Sequence, residues 1–152
     1  MAQEASRFVV GIDLGTTNSA VCYIDTAVTR LQVHTLAIPQ VVAPGEVEAR
    51  DTLPSFHYEA AAGEFSHGAL RLPWHTAEPR YTVGVFARDH GTIVPERMIA
   101  SVKSWLCHSG VDRTAAILPW HGPPPVRCPA THPGPACPSE RRIPAAPSAS
   151  RQ

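Results

Sequence analysis

Phe8-Val-Val-Gly-Ile-Asp-Leu-Gly-Thr-Thr-Asn-Ser-Ala-Val-Cys-Tyr-Ile-Asp25 decides how this chain is read. Phe8, Val9, Val10 and Ile12 form a short apolar run that suits a strand buried on both faces. Val21, Tyr23 and Ile24 form a second run of β-forming residues. Between them lies Gly15-Thr-Thr-Asn18, where glycine tolerates positive φ and Thr and Asn bond their own backbone, so the chain can reverse. Such a turn directs backbone N–H groups and the hydroxyls of Thr16 and Thr17 into a small concavity suited to an anion, above all phosphate. Asp13 ends the first run beside that concavity. A carboxylate there repels phosphate unless a cation lies between them, which points to hydrated Mg²⁺ with Asp13 holding its waters. The plainer reading is a β-hairpin whose Asp and Thr residues merely serve the turn.

The full string closely resembles the first phosphate-binding motif of the 70-kDa heat-shock protein family, the DnaK-type chaperones, which carry Gly-Ile-Asp-Leu-Gly-Thr-Thr-Asn-Ser. That family belongs to the actin-like ATPase superfamily, where sugar kinases share a looser Asp-x-Gly-Thr core. Two further stretches carry the resemblance in family order. Thr52-Leu-Pro-Ser55 is similar to the family's Thr-Pro-Ser element ahead of a strand, and is read here as a structural loop. Val83-Gly-Val-Phe-Ala-Arg88 is similar to the family's Val-Gly-x-x-Ala-Lys, with Arg88 where the family has a lysine that reaches the γ-phosphate. A guanidinium can neutralise phosphate charge with two bonds, but it does not release a proton near neutral pH. The alternative for Arg88 is a solvated helix residue.

The composition narrows the partners. The 152 residues suit one ordinary domain, and the formal net charge is zero. Residues 1–120 hold nine Arg/Lys and twelve Asp/Glu, and residues 121–152 hold four Arg and one Glu. Neither half carries the basic excess of a nucleic-acid surface. Lys103 is the one lysine against twelve arginines, a bias typical of a GC-rich genome. No run of about 20 apolar residues would span a membrane, and the polar Met1–Arg7 segment is unlike a signal peptide. A cytoplasmic chain with reduced cysteines is expected. Cys128, His132 and Cys137 with His121 could together ligate zinc, but they lie in Pro-rich sequence with nothing to fix a tetrahedron.

Taken in order, residues 31–38 alternate well enough for a third antiparallel strand, which Pro39 should end. Residues 40–52 read as a polar connection turning at Pro44-Gly45. His34 is expected on a solvated strand face. Residues 59–80 look like an irregular surface insertion, in which Trp74 is either a docking aromatic or a locally packed loop residue. Tyr81–Val83 reads as a strand, with a helical turn after Gly84. Residues 95–107 read as one helix, with Pro95 in its first turn, a stripe of Ile99, Val102 and Leu106, Trp105 beside it in the core, and Gly110 as a stop. Lys103 matches a family lysine by position and is assigned to the surface. From residue 121 onward nine prolines and no aromatic residue argue for a disordered tail, and its junction in mid-domain argues for a frameshift or mis-called gene end.

The expected fold is therefore α/β: an actin-like ATPase (ribonuclease H-like) fold, the first part of the first lobe only, over residues 1–120, with a disordered Pro-rich tail over 121–152. The resemblance implies ATP and Mg²⁺ as ligands and an ATP-driven cycle on unfolded polypeptides, with co-chaperones as partners. It assigns Gly15, Thr16, Thr17 and Asn18 to the phosphates, Asp13 to the metal and Arg88 to the γ-phosphate. A sugar kinase of the same superfamily and a non-catalytic fragment are the other readings. The family's second phosphate motif, adenosine segment and substrate domain have no counterpart in this sequence.

Overall fold

The computed structural model describes residues 6–107, 109–112, 114–119, 122 and 128–129. Strands dominate. The opening hairpin joins β1 (Phe8–Leu14) to β2 (Asn18–Asp25), antiparallel, with Leu14 opposite Ser19 and Phe8 opposite Asp25. Arg7 closes its open end, donating from Nη2 to Asp25 Oδ2 at 2.9 Å. β3 (His34–Thr35) and β6 (Leu53–Pro54) each pair with β2, at different ends of it. His34 is exposed and stacks on Tyr23.

The expected third strand over 31–38 shrinks to those two residues. Pro39 does not end a strand; it lies inside β4 (Ile38–Ala43), which forms its own hairpin with β5 (Glu46–Arg50). Among the described residues β5 is the only strand paired with β4. Proline is tolerated there because an edge strand does not need its N–H on the unpaired side. The polar connection expected over 40–52 is thus mostly strand, turning at Gly45 with φ 80°.

A third sheet runs β8 (Tyr81–Val83), β7 (Phe56–Glu59), β9 (Met98–Ala100). β9 corrects the helix expected over 95–107. Pro95–Arg97 makes a single 3-10 turn, Met98–Ala100 becomes a strand, Ser101 takes φ 53°, and only Val102–Leu106 is helical (α2). The central strand β7 has a second edge to satisfy, and pairing Ile99 with His57 outweighs a helix propensity worth only tenths of a kcal/mol per residue. The side chains of Trp105 and Leu106 fall outside the described set. So does most of the proline-rich tail, although Cys128–Pro129 forms a short strand (β11) against β10 (Ala116–Leu118), contrary to expected disorder at those two residues. The conceivable zinc ligands His121, His132 and Cys137 also lie outside it.

Two small cores hold these pieces. Val41, Leu70 and Phe86 are buried together, with Ala60, Phe65 and Leu72 packed against them. Phe86 comes from α1 (Val85–Gly91), the helix expected after Gly84. Leu70 comes from the 59–80 segment, which is irregular as expected but supplies core rather than only surface. Trp74, by contrast, is largely exposed. Ile99 and Leu118 form the second core with Val102 and Ile117. Gln40 ties the layers: its buried amide donates to Thr52 O at 2.9 Å and its Oε1 accepts from the Val85 N–H at 2.9 Å. That bond satisfies a first-turn N–H of α1 that no helical carbonyl can reach.

The opening hairpin is not buried as its sequence suggests. Val9, Val10, Ile12 and Leu14 are 57–65% exposed, on both faces of the sheet.

Candidate phosphate-binding turn

The turn between β1 and β2 is held from outside. Ser55 Oγ donates to Gly15 O at 2.9 Å, and the Ser55 N–H donates to Thr17 O at 2.8 Å. Ser55 can reach because β6, just ahead of it, lies alongside the start of β2, with Pro54 opposite Asn18. A serine 40 residues away thereby fixes two of the turn's carbonyls. With those carbonyls drawn toward Ser55, the turn's remaining polar groups are left to face solvent. Thr16, Thr17 and Asn18 are exposed. Gly15 is required by close approach: a Cβ there would sit 2.1 Å from Asn18 O, inside any permissible contact.

Beside the turn lies an open groove of about 530 Å³. Gly15, Thr16, Ser19, Ser55, His57 and Lys103 supply its polar lining, and the rest is mainly apolar. Lys103 Nζ donates to Leu14 O at 2.9 Å, so the ammonium sits against the last residue of β1. α2 brings it there. The position assigned to the surface is exposed, but it also faces the turn. Its signals in the sequence are its match to a family lysine by position and its place as the sole lysine, beside the helical stripe. His57 Nε2 is 2.7 Å from Glu59 Oε1, and its ring stacks on Tyr81. Ser55, read from sequence as structural, is the residue that shapes the turn.

Asp13 is exposed, and among the described residues its carboxylate makes no hydrogen bond or ion pair. It alternates with Leu14 along β1 and so projects from the other face of the hairpin. No group of three or more His, Cys, Asp or Glu among the described residues could cage a metal. Asp13 is thus a single exposed carboxylate off the groove, and any Mg²⁺ near it would have to be held mainly through its own waters. Arg88 is not brought to this place. It lies on α1, pairs with Asp89 through Nε at 2.7 Å, and does not line the groove. The Asp89 hydrogen bond raises its already high pKa. Ser55 of the 52–55 element meets the turn through Gly15 and Thr17, and Gly15 and Thr16 line the groove; Asp13, Thr17 and Asn18 do not line it, and the 83–88 element contributes Val83 to its wall but not its arginine.

No family model, no curated protein and no solved structure matches this chain. No helix among the described residues is long and apolar enough to cross a membrane.

Proposed function

We propose that this chain carries the first phosphate-binding portion of an actin-like nucleotide-binding lobe, and that it binds the phosphates of ATP together with Mg²⁺. The parent activity is that of a DnaK-type chaperone ATPase acting on unfolded polypeptides with co-chaperones. One observation carries the reading: Ser55 of the Thr-Leu-Pro-Ser stretch is hydrogen-bonded to both Gly15 and Thr17 of the Gly-Thr-Thr-Asn turn. Two stretches singled out separately in the sequence thus make one structure. Gly15, Thr16, Thr17 and Asn18 offer donors to phosphate oxygens, and Asp13 orients the water shell of Mg²⁺, which supplies charge neutralisation when bound.

Binding without turnover is the form this function takes here. Arg88 is paired with Asp89 and outside the groove. The turn is exposed, so water is not excluded from a bound phosphate, and the electrostatic gain of a dry site is lost. The test is calorimetric titration of the chain with MgATP, ATP in EDTA, and a hexose. Saturable MgATP binding that weakens about tenfold or more in Ser55→Ala, by loosening the turn, supports the reading. Absence of saturable MgATP binding by the parent refutes it, and preference for the hexose favours the sugar-kinase alternative.

A further inference from the structure

We infer that β1 is an interaction edge that pairs antiparallel with β1 of a second copy of this chain, about a two-fold axis at Val10. Among the described residues β1 pairs only with β2, so its other side is an open edge. The bonding pattern shows which groups face outward. Arg7 O accepts from the Thr26 N–H, and Val21 O accepts from the Leu36 N–H on the β3 side. Odd-numbered residues of β1 therefore bond inward to β2, and Phe8, Val10, Ile12 and Leu14 direct their backbone groups outward.

Apart from Asp13 near its end, that edge lacks the usual defences. It is seven residues long and holds no proline, lysine or bulge, and its apolar side chains are 45–65% exposed. Natural edges of this length are normally shortened, charged or covered. Here only the ends are occupied. Lys103 Nζ takes Leu14 O at 2.9 Å, and Ser6 Oγ donates to Phe8 O at 2.9 Å. The outward N–H and C=O groups of Val10 and Ile12, with the Phe8 N–H, lie between those ends, and their midpoint is Val10.

A second copy fits this window in one register. Centring on Val10 sets Val10 opposite the partner copy's Val10 and Phe8 opposite its Ile12, all with outward-facing backbone. The same register sets Arg7 opposite Asp13, at each end of the pair. These are the charged residues of the 7–14 segment, and each meets its opposite, so the pairing competes with the Mg²⁺ role assigned to Asp13. Shifting the register by two residues either way removes that match, and shifting by one turns the backbone groups away from each other. Arg7 keeps Asp25 through Nε and Nη2, and a guanidinium has further donors for a second carboxylate. The pairing uses both β1 edges, so it closes as a dimer and does not propagate.

Sedimentation of the full chain over a range of concentrations tests this. A monomer–dimer equilibrium is expected, and a monomer throughout, or growth beyond dimers, overturns the proposal. Val10→Pro removes the central outward N–H from both copies without touching the β1–β2 ladder. It should weaken the dimer by about tenfold or more, and an unchanged dimer constant puts the interface elsewhere. Val10→Cys and Ile12→Cys decide the register even if the proline variant misfolds. Under mild oxidation, with the parent as control for Cys22 and Cys107, Val10→Cys should cross-link between copies because its two-fold mate lies at disulfide distance. Ile12→Cys, opposite Phe8, should not, and equal cross-linking at both positions refutes the register.

Discussion

Removing the Glu64 carboxylate should unravel a half-buried polar junction beneath α1. Glu64 Oε1 accepts from Tyr58 Oη at 2.6 Å and lies 3.0 Å from His90 Nε2, while Oε2 accepts from the Ala61 N–H at 2.7 Å. Tyr58 is fully buried, so its hydroxyl has no water to turn to. His90 is wedged edge-on to Tyr58 and stacked on Phe86, which links the junction to the first core. Glu64→Ala strands the Tyr58 hydroxyl and frees the other two donors toward solvent, at a cost of roughly 2–4 kcal/mol. Tyr58→Phe removes the hydroxyl and leaves the carboxylate its remaining partners, at about 1–2 kcal/mol. The double variant should cost less than the sum by about 1–2 kcal/mol, because a phenylalanine ring has no hydroxyl to strand when Glu64 is gone. Urea unfolding followed by circular dichroism at neutral pH measures all three. Burial alone pushes the Glu64 carboxyl up, but the bonds from Tyr58, Ala61 and His90 outweigh it and hold the group below its ordinary 4.5. A depressed pKa stabilises the fold fully above that ordinary value, and the contribution is lost as pH falls through the folded one. The parent should therefore lose stability on acidification below about pH 4.5 more steeply than Glu64→Ala. A Glu64→Ala cost below about 0.5 kcal/mol, or strictly additive variants, would refute the junction as a stabilising unit.

Gly84→Ala should destabilise by about 2 kcal/mol or more, measured by the urea midpoint, because φ is 94° and a Cβ would lie 2.4 Å from Gln40 Oε1 and 2.7 Å from Leu53 Cδ1. Asp13→Asn should abolish the Mg²⁺ dependence of ATP binding in calorimetry while leaving the unfolding midpoint within about 0.5 kcal/mol of the parent, since the carboxylate is exposed; equal affinities with and without Mg²⁺ in the parent would remove its assigned role. Burial first, and then the bond to Glu64, raise the Tyr58 pKa well above its ordinary 10.0. The neutral phenol therefore stabilises the fold fully below that value, and stability should fall as pH rises above it; a Tyr58→Phe variant with the same alkaline profile argues otherwise. Phosphate release from MgATP should stay at background in parent and Arg88→Lys alike, and turnover restored by Arg88→Lys would show that the arginine, not the open turn, is limiting.

Local chemistry made the hairpin legible. Two β-rich runs flanking Gly15-Thr-Thr-Asn18 admit few other solutions; β1 and β2 follow them, although β1 extends to Leu14 and β2 begins at Asn18, within the expected turn. The strand after Thr52, the strand at Tyr81 and the helical turn after Gly84 were readable for the same reason, because proline and glycine punctuate them. What neighbours decide was not readable. Ile99 has a helical spacing to Val102 and Leu106, yet β7 needed a second partner and drew Met98–Ala100 into a sheet. Pro39 looked like a strand end, yet an edge position accepts it. Leu70 sat in loop-like sequence, yet the gap beside Val41 and Phe86 took it as core. At the site, residue types alone singled out Asp13 and the turn, since their donors and charge are local. The clamp by Ser55, the approach of Lys103 and the departure of Arg88 toward Asp89 depend on strands and helices meeting across 40 to 89 residues of chain. Periodicity reports which side of an element is apolar; only packing reports what that side meets, which is why β1 reads as a buried strand in sequence and stands as an open edge in the fold.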